Sequence, residues 1–201
     1  MKKYLVEFIG TFFLTLVICS MKLGSVDTNM PAAIGMTLAA MIYAGGYISG
    51  AHYNPAVTIA VWLRGKCSTQ DVPFYIGAQL AAATLAAISA SFIVGKLPQS
   101  VAMDTPMPAL IGEILGTFAL VWVILNVATA KTVEGNNYYG IAIGFTVMGM
   151  AYALGQTFNP AVGLAVSIAT KSFGGLWISA LGSIVGGVLA AFTFRFINPE
   201  E

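Results

Sequence analysis

Charged residues are scarce in this chain of 201 residues: they make up 8% of it, while 58% of its residues are hydrophobic. A soluble domain carries about 25% charged residues, so we expect this chain to lie in a membrane. Its net charge of +1 argues against nucleic acid as a partner. The two cysteines, Cys19 and Cys67, are too few and too far apart to indicate a disulfide framework or a zinc site. Since no nucleophile–base set and no metal cluster is visible either, we expect no enzyme, no cofactor and no bound metal.

Long apolar segments are abundant. Six of them approach the roughly 20 residues that a membrane-spanning helix needs: 4–21, 31–47, 73–94, 109–128, 138–155 and 173–196. Lys2 and Lys3 precede the first segment as in a signal peptide, but the apolar run continues to Cys19 without a cleavage signature, so a retained span is expected. Because the breaks between segments are short, we predict an all-α membrane protein with a single transmembrane domain, residues 1–201.

One tripeptide occurs twice, as Asn54-Pro55-Ala56 and Asn159-Pro160-Ala161. Asn is a good N-cap residue, and Pro is favoured at the first helical position. Each copy therefore predicts the start of a helix, and the apolar run behind it, 57–63 or 162–168, is too short to cross a bilayer. Two such half-helices in matching places indicate a pore or a solute site near the membrane midplane.

The two halves of the chain repeat each other, with repeat 1 at about 1–100 and repeat 2 at about 107–201. Segment 7–12 matches 113–118, and the two tripeptides match in turn. Because each half contains three predicted spans, the second half must enter the membrane from the opposite side, which makes an inverted repeat. The two half-helices then enter from opposite faces, and their N-termini meet near the middle.

Lysine and arginine residues give the expected orientation. If the N-terminus is inside, six of them lie on the cytoplasmic side and three on the outer side. The six are Lys2, Lys3, Arg64, Lys66, Lys131 and Arg195, and the three are Lys22, Lys96 and Lys171. This bias favours both termini in the cytoplasm. The compact size suits a plasma membrane, namely a bacterial inner membrane.

The segment 49–58 reads Ser-Gly-Ala-His-Tyr-Asn-Pro-Ala-Val-Thr. It resembles the first pore loop of the aquaporin, or major intrinsic protein, family almost letter for letter, and the likeness extends over nearly the whole chain. The resemblance implies six transmembrane helices plus two re-entrant half-helices, assembled as a homotetramer with one pore per subunit. It implies a passive channel for water and small neutral solutes. The alternatives are a permissive channel for glycerol, urea, ammonia or hydrogen peroxide, or, less favoured, a secondary transporter or a structural membrane protein.

The paired motifs supply the expected pore chemistry. The side-chain amides of Asn54 and Asn159 can donate hydrogen bonds to a passing oxygen atom. Each half-helix N-terminus carries roughly +0.5 charge, and two facing N-termini repel cations and oppose a proton wire. This is the electrostatic barrier described for aquaporin-type pores.

Three further polar residues are candidates for a role in the pore or its re-entrant loops. Glu7 and Glu113 are repeat-equivalent intramembrane carboxylates. They either form a proton relay or, as we favour, accept backbone N–H bonds and fix the loops. His52 is the only histidine. It either acts as a cytoplasmic pH gate or, as the family motif implies, ties the first loop to neighbouring backbone.

The chain departs from the family at its second motif. The family usually places an Arg after the second Asn-Pro-Ala, where it lines the outer constriction, and this chain has Val162 followed by Gly163. Tyr43 precedes Asn54 by 11 residues, whereas Tyr152 precedes Asn159 by 7, so the second loop is four residues shorter than the first.

The resemblance gives the expected selectivity filter, which contains no cation and no histidine. It consists of Ile34, Val147 or Ala151, Gln156 and Val162. The fifth-span position is open because the shortened loop can be aligned in two ways. Such a filter either forms a wide outer mouth that passes small neutral solutes, or it pinches the mouth and slows water by dewetting.

Small residues within the spans suggest close helix packing. Gly10, Gly116, Gly182 and Gly186 are expected at helix–helix contacts, because a missing side chain lets two backbones approach.

Overall fold

The computed structural model describes residues 1–26, 28–95 and 106–201, and these residues form helices without any strand. In chain order the α-helices are α1 (Lys2–Gly24), α2 (Met30–Ser49), α3 (Pro55–Leu63), α4 (Val72–Val94), α5 (Pro106–Ala128), α6 (Tyr139–Leu154), α7 (Pro160–Thr170) and α8 (Leu176–Ile197). A short 3-10 turn, Lys131–Val133, lies between α5 and α6. The predicted all-α fold class is confirmed.

Five of the helices in the described residues are long and apolar enough to cross a membrane, namely α1, α2, α4, α5 and α8. The fifth predicted span is also a helix, α6, but it has 16 residues, or about 24 Å. It ends early because Gly155 takes the left-handed conformation, with φ of 66°, and caps it. The chain then turns back at once toward α7, which is the structural result of the shortened second loop.

The two short helices begin where the tripeptides predict. Asn54 caps α3 and Asn159 caps α7, with extended φ values of −160° and −158°. Each Asn side chain accepts a 2.9 Å bond from a backbone N–H two residues on, at Ala56 and Ala161. Pro55 and Pro160 occupy the first helical positions, where the missing N–H costs nothing. The half-helices have 9 and 11 residues, so neither spans a bilayer.

Helix pairs in the bundle approach closely at glycines. A Cβ atom added to Gly35 of α2 would lie 2.5 Å from the carbonyl oxygen of Gly144 of α6. The reverse holds for a Cβ on Gly144, which would meet the carbonyl oxygen of Gly35. On α8, Gly182 and Gly186 lie against α5 in the same manner, as predicted.

Gly10 and Gly116 serve a different purpose, and for them the expectation of a helix–helix contact is wrong. A Cβ on Gly10 would overlap the ring of Tyr53, and a Cβ on Gly116 would overlap the ring of Phe158. Both rings belong to the re-entrant loops. These two glycines therefore make room for loop side chains.

Both termini lie at one end of the bundle. Lys3 Nζ is 2.6 Å from the Asp71 carboxylate, in the loop between α3 and α4. Arg64, at the other end of that loop, bonds Glu201, whose carboxylate also accepts the backbone N–H of Lys131 at 2.9 Å. The basic residues predicted on the cytoplasmic side thus gather with the termini, while Lys96 lies outside the described residues.

Candidate functional site

The two Asn side chains meet at the centre of the bundle and bind each other's loops. Asn54 Nδ2 donates to the carbonyl oxygen of Phe158 at 2.8 Å, and Asn159 Nδ2 donates to the carbonyl oxygen of Tyr53 at 2.9 Å. Each Asn oxygen caps its own half-helix, as described above. Since a primary amide has two N–H donors, each Asn has a second one besides the bond to the opposite loop.

Buried carboxylates hold the backbone of the two loops. Glu7 is fully buried and accepts the N–H groups of His52 (2.9 Å) and Tyr53 (2.7 Å). Glu113 accepts the N–H groups of Thr157 (2.9 Å) and Phe158 (2.7 Å) in the same pattern. The re-entrant backbone therefore has partners for these N–H groups without water, as a membrane interior requires.

Two more donors complete the environment of each carboxylate. Glu7 also accepts bonds from Ser49 Oγ (2.7 Å) and Gln79 Nε2 (2.8 Å). Glu113 also accepts bonds from the hydroxyls of Thr157 (2.6 Å) and Ser183 (3.1 Å). Sequence reasoning missed these four partners. No signal in the sequence singles them out, because they lie on other helices or act through a loop hydroxyl.

The residue before each motif Asn has an unusual backbone. Tyr53 and Phe158 take φ values of 49° and 53°, in the left-handed region that bulky residues rarely adopt. Their rings are fully buried over Gly10 and Gly116. This conformation turns each carbonyl oxygen toward the opposite Asn. The Glu-x-x-Gly spacing, present in both halves, was the available signal for this arrangement.

His52 lies beside the first motif. Its Nδ1 is 3.2 Å from Thr58 Oγ1, and its ring centroid is 4.9 Å from that of Tyr75. Thr58 Oγ1 also donates to the carbonyl oxygen of Asn54 at 3.1 Å. His52 thus supports the first turn of α3 through a side chain, and its own backbone N–H bonds Glu7.

A cavity of about 630 Å³ runs past these groups. Its middle is lined by both motif Asn residues and by the residue that precedes each of them, Tyr53 or Phe158. At the end that holds the termini, its lining includes Lys66, Lys131, Glu134 and Asn136. Toward the opposite end, its lining includes Ile34, Val147, Thr157 and Val162. The cavity therefore changes from charged to mostly apolar along its length.

Comparison with known proteins identifies the family. The family model described as major intrinsic protein matches residues 1–194. The chain belongs to this family. Among its relatives, the putative aquaporin NIP4-1 of Arabidopsis thaliana is 31% identical over 98% of this chain and 75% of its own length. Aquaporin AqpM of Methanothermobacter thermautotrophicus is 32% identical over 99% of this chain and 98% of its own length.

A solved structure shows the same fold. The X-ray structure of the aquaglyceroporin from Plasmodium falciparum superposes with a TM-score of 0.80, covers 98% of both chains and is 21% identical in sequence. The aquaporin-like fold is therefore established for this chain. Major intrinsic proteins are membrane channels and not enzymes, so the expectation of a non-enzyme holds.

The residues predicted for the family's filter are not all at the cavity. Ile34, Val147 and Val162 line it, whereas Ala151 and Gln156 are not among the lining residues. Gln156 Nε2 donates to the carbonyl oxygen of Leu154 at 3.1 Å, and its Cγ would lie 3.0 Å from a Cβ on Gly112. The Gln156 side chain packs on α5. Its neighbour Thr157 lines the cavity instead.

Basic side chains are missing from the apolar end of the described cavity lining. Val162, which we expect at the position of the family's usual Arg, is 3% exposed. Arg64 lies at the other end, where its guanidinium bonds Glu201 and stacks on Phe194, 4.9 Å from the ring centroid. Among the described residues, no group of three metal-ligating side chains occurs either.

Proposed function

We propose that the cavity is a passive pore for water and small neutral solutes. The observation that carries this proposal is the pair of Asn side chains at its centre. Each Asn uses one amide N–H to bond the opposite loop, and its second N–H is available to a solute oxygen. Such fixed donors beside the apolar part of the channel let a molecule exchange hydrogen bonds without being trapped.

We also propose that the pore excludes cations and protons at its centre. The N-termini of α3 and α7 meet there, and each carries roughly +0.5 charge. Glu7 and Glu113 do not offset this charge at the pore surface, because their oxygens accept four bonds each from loop and helix donors and are buried. These contacts support the loop-fixing role for both carboxylates over the proton relay.

The outer constriction is proposed to consist of Ile34, Val147 and Val162, with Thr157 beside them. It lacks a cation, so we expect neutral solutes such as glycerol and urea to pass as well as water. The contacts of Gln156 and the position of Ala151 argue against giving either residue a filter role. Of the two alignments for the α6 residue, the cavity lining favours Val147.

We further propose a homotetramer of single channel domains in a bacterial plasma membrane, with both termini in the cytoplasm. The orientation rests on the basic residues that gather with the termini, since such residues favour the cytoplasmic side. Outward-facing apolar side chains on each long helix, such as Phe92 and Phe196 at 89% and 87% exposed, supply the surface for lipid and for neighbouring subunits.

The test is solute flux in liposomes, followed by stopped-flow light scattering with an impermeant osmolyte and then with glycerol or urea. Liposomes that contain the wild-type protein should shrink rapidly in the impermeant osmolyte. In glycerol or urea they should shrink and then reswell rapidly. Val162→Arg should reduce glycerol and urea flux more than water flux, because it adds a charged group to the apolar end. Val162→Leu, which adds volume without charge, is the matched control.

Each outcome has a definite meaning. If Val162→Arg leaves glycerol and urea fluxes unchanged, the constriction is placed wrongly. Slow water flux in the wild type, relieved by a polar residue at position 162, would indicate dewetting of the apolar end. Wild-type flux no greater than that of empty liposomes would refute the channel function itself.

A further inference from the structure

A chain of hydroxyl groups connects helix α8 to the apolar end of the cavity. Thr157 Oγ1 donates to Glu113 at 2.6 Å, and it also lies 2.6 Å from Ser179 Oγ. A hydroxyl has one proton, and the carboxylate takes the proton of Thr157. The proton of Ser179 therefore points to Thr157 Oγ1, so the order of donation is Ser179 to Thr157 to Glu113.

Ser179 lies close to α7 because residue 163 is a glycine. A Cβ on Gly163 would overlap the hydroxyl of Ser179 and would lie 2.6 Å from its Cβ. Ser179 is 5% exposed, and its Oγ is 3.4 Å from the carbonyl oxygen of Asn159. Its side chain thus fills the space between α8, the second loop and the residue that follows Val162.

We infer that Ser179 is a positioning residue for solute selectivity, acting through Thr157 at the apolar end of the pore. This inference rests on the proposed channel function. Ser179 itself is absent from the cavity lining, whereas Thr157 and Val162 are part of it. The second loop is short, with four residues between α6 and Asn159, so the side-chain bonds of Thr157 set where its backbone stands relative to Ile34 and Val147.

Ser183 offers a matched control. It lies one turn further along α8, it is fully buried, and its hydroxyl also donates to Glu113, at 3.1 Å. It has no hydrogen bond to the second loop among the described contacts. Ser183→Ala and Ser179→Ala therefore remove the same group from the same helix and perturb the same carboxylate network, but only Ser179→Ala removes a hydrogen bond from Thr157, which keeps its bonds to Glu113.

The experiment measures the ratio of glycerol to water permeability in liposomes for wild type, Ser179→Ala and Ser183→Ala. Ser179→Ala keeps the Cβ that packs near Gly163, so the fold should persist. The loss of one hydrogen bond shifts the equilibrium between two positions of the second loop by a factor on the order of five. We therefore expect the ratio to rise by roughly fivefold for Ser179→Ala, and to stay at the wild-type value for Ser183→Ala.

A second pair of variants tests the other end of the same bond. Thr157→Val removes the hydroxyl at nearly constant volume and should raise the ratio, while Thr157→Ser keeps the hydroxyl and should preserve most of the selectivity. Equal changes for Ser179→Ala and Ser183→Ala would overturn the inference, because the effect would then come from Glu113 alone. Unchanged ratios for both Ser179→Ala and Thr157→Val, with wild-type water flux intact, would also overturn it and leave the channel function standing. A wild type without flux would refute the channel function first.

Discussion

The crossing of α2 and α6 gives the sharpest test of the packing. A Cβ on Gly144 would lie 2.9 Å from the Ala39 Cβ and would meet the Gly35 carbonyl oxygen. Ordinary van der Waals contact begins near 3.4 Å, so Gly144→Ala requires α2 and α6 to separate by at least 3.4 − 2.9 = 0.5 Å. Backbone cannot rotate away as a long side chain can. We therefore expect a cost of about 1–3 kcal/mol, typical of an overpacked core.

Gly149, on the same helix, is the matched control. It is exposed, and a Cβ there would meet nothing within 4 Å. Gly149→Ala should be neutral or should stabilise the helix by up to about 1 kcal/mol, the difference in helix propensity. The two alanine variants should therefore differ by about 1–4 kcal/mol in free energy of unfolding.

The assay is unfolding of the purified protein in detergent, by heat and by increasing denaturant, with tryptophan fluorescence as the signal. Gly144→Ala should unfold at a lower temperature than wild type, and Gly149→Ala should not. If the two variants unfold together, the backbone contact between α2 and α6 does not exist as described, and the placement of Ile34 and Val147 at the cavity fails with it.

The remaining predictions concern buried and interfacial carboxylates. Glu7→Gln places an N–H donor among four donors, so it should destabilise the fold by at least about 1.5–3 kcal/mol, measured by the same unfolding assay; wild-type stability would contradict the loop-fixing role. The hydrogen bond from Lys3, together with those from Ser68 and Tyr4, lowers the pKa of Asp71 to about 2. Because this pKa is lowered, the stabilisation is present above about pH 4 and is lost as the pH falls through about 2. Asp71→Asn should remove this acid-dependent part of the melting temperature, and an unchanged pH profile would contradict it.

Much of the architecture could be predicted from local sequence. The tripeptides predict both half-helices because Asn and Pro act at helix starts through their own side chains and ring geometry. The repeat-equivalence of Glu7 and Glu113 pointed to a shared role beside the two loops. These inferences succeed because each depends on residues close together in the chain or on the internal repeat.

Side-chain directions in the second loop could not be predicted in this way. Counting back from Asn159 selects Gln156, but Phe158 has a left-handed backbone and Thr157 donates hydrogen bonds to Glu113, and it is Thr157 that lines the cavity. Ser179 lies 22 residues from Thr157, on another helix, and nothing in the local sequence links them. Such pairings depend on how helices are placed in space.

The reciprocal bonds of the two Asn residues also bear on how the protein is made. They join positions 104 and 106 residues apart, so the first loop has no Phe158 carbonyl to bond until the second half has been synthesised and inserted. Contacts between such distant positions form late, since the chain between them must be ordered first. The centre of the channel therefore closes only after both halves are present, and a nascent chain has no finished pore through which to leak before they meet.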